Sequence, residues 1–128
     1  MNATFADQMK TDIITSNEIK TKLIQNNIWN ADIFSKNLEK DPNVASVSVS
    51  PDGDKLFLRM KQNPEINRLN MPIYNKISKI AHDMINSNKE VVDNLLTDTE
   101  KEKLEPSINL MYSISPVNDN KGTIILDI

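Results

Sequence analysis

At 128 residues, with 38% hydrophobic and only 5% aromatic side chains, the chain has the size of one globular domain and an aliphatic core. Its formal net charge of −3 argues against a nucleic-acid partner, which needs clustered Lys and Arg to neutralise phosphates. The lack of cysteine excludes disulfides, thiolate zinc sites and cysteine nucleophiles, and no apolar run reaches the roughly 18 residues of a membrane-spanning helix.

Residues 1–15 read as a tail or a helical arm, with Phe5, Met9 and Ile13 at four-residue spacing. Thr15-Ser-Asn-Glu18 has the pattern of a capping box, so a helix is expected to start there, with Ile19, Leu23 and Ile24 on its apolar face. Asn30 is an N-cap for a further helix through Lys40, and Trp29 and Phe34 are spaced for a hydrophobic staple across that cap. Asp41-Pro42 ends it, because the residue before proline is pushed out of the helical region.

Residues 42–60 then form a strand, a polar Asp52-Gly-Asp-Lys55 turn and a second strand. Val47 and Val49 face one way, with Ser46, Ser48 and Ser50 on the other. Residues 62–71 read as a polar loop. Pro72 suits a first helical turn, and Ile73, Ile77, Ile80 and Met84 make the clearest helical stripe of the chain. Val91, Val92, Leu95 and Leu96 continue in helix, and Thr97-Asp-Thr-Glu100 is a second capping box. Pro106 is expected to open the last hairpin, running over 107–128 with a turn at Val117–Gly122.

The expected fold is α+β: a four-stranded, mainly antiparallel sheet with helices on one face, in helix–hairpin–helix–hairpin order, forming a single domain over 16–128. The two hairpins each follow a proline and close on Ser-Pro, which suggests an internal pseudo-repeat; chance likeness is the alternative.

Candidate chemistry is sparse. His82 is the sole histidine, with Ser78 one turn away, but Asp83 points about 100° round the helix and cannot orient the ring. Asp52 and Asp54, and the run Asn118–Gly122, read as turn residues and not as a calcium loop. Arg59, Lys61 and Arg68 make at most a small basic patch, and Phe57 alone is a poor platform for stacking bases. No catalytic, cofactor-binding or metal-binding residues are therefore assigned, and no cofactor is expected. Candidate partner-binding residues are the serine face (Ser46, Ser48, Ser50), the amphipathic Trp29, and Glu100 and Glu102 in the acidic stretch 90–105.

The run Leu38-Glu-Lys-Asp-Pro-Asn-Val-Ala-Ser-Val-Ser-Val-Ser-Pro-Asp-Gly-Asp-Lys-Leu-Phe-Leu58 resembles the helix–strand–strand opening of small bacterial extracytoplasmic domains, those of Bacillus-type sporulation lipoproteins and BON-like domains. The resemblance covers residues 31–86. It implies a binding or anchoring module and carries over no functional residue. The leading expectation is thus a non-enzymatic protein-interaction domain, the soluble part of a bacterial surface-anchored protein. The alternatives are a small cytoplasmic inhibitor encoded by a phage or plasmid, and a hydrolase using His82. The setting depends on the start: cytoplasmic if Met1 is native, at the cell surface if a signal or anchor precedes it. The chain does not state its oligomeric state.

Overall fold

A computed structural model describes residues 5–61, 71–117 and 122–128. The elements in chain order are α1 (Phe5–Gln25), α2 (Ala31–Glu39), β1 (Val44–Val49), β2 (Lys55–Met60), α3 (Met71–Asn86), α4 (Lys89–Leu95), α5 (Asp98–Ile108), β3 (Ser113–Pro116) and β4 (Thr123–Asp127). The strands form one antiparallel sheet in the order β1-β2-β4-β3. The expected α+β architecture is therefore present. Each hairpin contributes one inner strand and one edge strand.

Strand alternation sorts the two faces. Leu56 and Leu58 of β2 and Ile124 and Leu126 of β4 are buried beneath the helices, while Phe57, Arg59 and Asp127 are exposed on the other side. The helices supply Ile19, Leu23, Phe34, Leu38, Ile77, Ala81, Ile85 and Ile108 to the same core. Each fully buried Leu, Ile or Phe side chain among these stabilises by about 1.5–3 kcal/mol. Ile73, Ile77, Ile80 and Met84 are all buried, as their spacing predicts.

Two local signals act as expected. Asn30 caps α2, its Oδ1 accepting from Ile33 N–H at 3.0 Å, and the rings of Trp29 and Phe34 meet edge-on at 5.3 Å across that cap. Thr97 and Glu100 form a reciprocal capping box at the start of α5.

Two others do not. The Thr15–Glu18 box starts nothing: α1 is continuous, and Ser16, buried inside it, donates its hydroxyl back to Ile13 O at 2.8 Å. Of the expected apolar face of α1, Ile19 and Leu23 are buried but Ile24 is exposed, as are Met9 and Ile13. Pro106 also opens no strand. It sits inside α5, and β3 begins only at Ser113. Ser107 and Ile108, adjacent in the last turn of α5, are both buried, which a strand's period of two would not give; Met111, beyond the helix, is buried as well, whereas Leu110 is exposed. Pro42, by contrast, lies in the loop between α2 and β1, so the two prolines are not equivalent positions. The expected loop at 62–71 and the turn run Asn118–Gly122 fall mostly outside the described residues.

Candidate functional site

The two edges of the sheet differ. β3 is only four residues long and carries Pro116, and both features discourage a further strand. β1 has six residues, Val-Ala-Ser-Val-Ser-Val, with neither a charge nor a proline among them. Among the described residues, no strand pairs with its outer side. Ser50 N–H donates to Lys55 O at 2.9 Å, which sets the hydrogen-bonding phase with β2. By antiparallel alternation, Ser46 and Ser48 also exchange bonds with β2, at Arg59 and Phe57. The main-chain groups of Val47 and Val49 then point to the free edge. A register shift between Val44 and Ser46 twists only the start of the strand.

The serine face lies on the open side of the sheet. The row Ser48, Phe57, Ile125, Ser115 crosses all four strands, flanked by Ser46, Arg59 and Thr123. Phe57 is 39% exposed at its centre. Ser46 and Ser48 are exposed, but Ser50 is committed to the hairpin turn. Its hydroxyl donates to Asp54 Oδ1 at 2.9 Å and accepts from Lys55 N–H at 3.1 Å. The Ser50 hydroxyl, with Lys55 beside it, holds the Asp54 carboxyl below its ordinary pKa, against an opposing desolvation.

A cleft of about 320 Å³ opens beside this turn, between the end of α1, the start of α2 and the β1–β2 hairpin. Ile24, Trp29 and Val49 form apolar walls, and Asp32, Asp52 and Asp54 bring carboxylates to it. Ile24 and Val49 are 48% and 38% exposed, so two large aliphatic side chains meet solvent here. Alternation along β1 implies that Val49 is covered together with Val47; only Val47 is packed against the core. Lys20, one turn before Ile24, has its pKa lowered by burial, while Asp127 and Asp54 pull the other way.

Two of the candidate partner-binding residues are used by the fold itself. Trp29 is buried, packed against Phe34 and Tyr112, and its Nε1–H has no acceptor among the described residues. Glu100 is 5% exposed. Its carboxylate accepts from Lys22 Nζ at 2.6 Å and from Thr97 N–H at 2.9 Å, tying α5 to α1. Burial raises the Glu100 pKa, but the Lys22 ammonium and the Thr97 N–H outweigh it, and the net shift is downward. Glu102 is exposed on α5.

His82 has gained a carboxylate that its own helix does not supply: Nδ1 lies 3.2 Å from Glu105 Oε1 on α5. Glu105 is 77% exposed, so this is a surface pair in water and not a buried orienting group. No hydrogen bond links Ser78 to His82 among the described residues, and no group of three or more His, Asp or Glu there is placed to hold a metal ion. No described helix is long and apolar enough to cross a membrane. Arg59 and Lys61 end β2, while Arg68, the third member of the expected basic patch, lies outside the described residues.

No protein-family model, curated protein or solved structure matches this chain.

Proposed function

We propose that the chain is a non-enzymatic protein-interaction domain that takes an extended segment of a partner onto the free edge of β1. The observation that carries this reading is the inequality of the two edges. A sheet protects an edge by shortening it, charging it, placing proline in it, bulging it or covering it, and the bulge of β1 lies before Val47 and Val49. β3 is short and contains Pro116, while β1 is longer and uncharged, and among the described residues no strand pairs with its outer side. Main-chain groups of Val47 and Val49 supply affinity for an added strand, and the serine face beside them imposes no charge on it. The resemblance of residues 31–86 to extracytoplasmic domains adds a setting to the proposal, the soluble part of a bacterial surface-anchored protein.

Selection from a displayed library of random heptapeptides tests the reading. Extended, β-branched peptides should be enriched and should slow hydrogen exchange at the Val47 and Val49 amides. Val47→Pro removes an edge donor without touching the β2 ladder and should abolish binding in a protein whose circular dichroism is unchanged. Ser46→Lys/Ser48→Lys, which leaves the main chain intact, should weaken it. His82→Ala should have no effect. Equal binding to the native chain and the Val47→Pro variant, or no enriched peptide, would refute it.

A further inference from the structure

We propose that the cleft beside the β1–β2 turn receives a Lys or Arg side chain from the segment that pairs with β1, so that the partner is a basic, extended peptide. This rests on the strand-addition reading above and names its specificity. Val49 belongs to both features: its main chain lies on the free edge and its side chain lines the cleft. A strand running along β1 therefore passes the mouth of the cleft. Strand addition takes affinity from the main chain and selectivity from pockets for particular side chains.

The chemistry of the cleft selects a cation with an apolar stem. Ile24, Val49 and the Trp29 wall suit the methylenes of Lys or Arg, which pack on apolar surface while the charged head reaches out. Asp54 is engaged by Ser50 and by Lys55, whose Nζ lies 3.5 Å away. Asp32 and Asp52 form no ion pair among the described residues, so two carboxylates are left for an incoming charge. The described carboxylates are not grouped closely enough to hold a metal ion, which favours an extended organic cation. An acidic side chain is repelled.

The same heptapeptide selection, run in parallel on the native chain and on Asp32→Asn/Asp52→Asn, is the test. Native protein should enrich Lys or Arg at one fixed position of the peptide. The double variant, checked for folding by circular dichroism, should lose that bias and bind the basic peptides about tenfold more weakly, while retaining the β-branched preference. Replacing the basic residue of a selected peptide by Glu should lower its affinity for native protein by at least as much. Peptides enriched without a basic position, or bound equally by the double variant, would overturn the cleft proposal and leave strand addition standing. Absence of any enriched peptide would overturn both. A second copy of the chain on β1, seen as a dimer in sedimentation that Val47→Pro dissociates, would also overturn it.

Discussion

Glu100→Ala removes a carboxylate that both caps a helix and joins two helices distant in sequence. Glu100 and Thr97 exchange two hydrogen bonds at the start of α5, and loss of such a cap costs about 1 kcal/mol. The second contribution is the 2.6 Å bond from Lys22, a charged hydrogen bond that is worth about 1.5–3 kcal/mol when well shielded. The Lys22 side chain is 35% exposed, so water screens the pair and lowers its contribution to about 1 kcal/mol. The expected loss is about 2 kcal/mol in urea denaturation at neutral pH. Glu100→Gln keeps an acceptor for the Thr97 N–H and should lose only the charged part. In a double-mutant cycle, Lys22→Met and Glu100→Gln should couple by about 0.5–1 kcal/mol. The pH dependence has a definite sign. The Glu100 pKa is lowered in the folded chain, so its contribution is present above the unfolded carboxylate value of about 4.3 and fades as pH falls through the folded value. A loss below about 0.5 kcal/mol for Glu100→Ala, or no difference in pH profile between the native chain and Glu100→Gln, would refute the account.

Three further outcomes are expected. Ile77, fully buried in the middle of the α3 stripe, should cost about 2–5 kcal/mol when truncated to Ala, measured by denaturant melts; a cost under about 1 kcal/mol would contradict its place in the core. Gly53 has φ +72° and open space on the side where a methyl group would stand, so Gly53→Ala should cost about 1 kcal/mol through backbone conformation alone, and Gly53→Asn less; equal melting temperatures for all three proteins would contradict this. Pro106 lies exposed within α5 and removes a helical hydrogen bond, so Pro106→Ala should stabilise by about 1 kcal/mol or more, and a lower melting temperature would show that the ring supplies something else.

The elements that local chemistry specifies are legible in the chain itself. Asn30, Thr97 with Glu100, Asp52-Gly53 and the Ile73–Met84 stripe each act within a few residues, and each does in the fold what its pattern implies. The pairing of strands into one antiparallel sheet under helices follows from alternation and order.

Signals that compete with burial are decided elsewhere. Thr15–Glu18 resembles a cap as closely as Thr97–Glu100 does, yet α1 runs through it, with Ile19 and Leu23 buried against the core. Pro106 has the pattern of a boundary, but Ser107 and Ile108 are buried and the helix continues past the ring to Ile108. The candidate site divides in the same way. The serines of β1 show in the sequence as a polar face, because alternation is local. That β1 is an edge and β2 an inner strand is set by the partner each strand finds, with Arg59 pairing on one side to Ser46 and on the other to Thr123. The cleft gathers Ile24, Asp32, Val49 and Asp52 from separate stretches, and His82 meets Glu105 from another helix. The sequence by itself thus determined which segments are helix or strand wherever capping, turn chemistry and periodicity agree. Only the tertiary structure decided which strands lie at the edges and which side chains converge, because those depend on contacts between residues far apart in the chain.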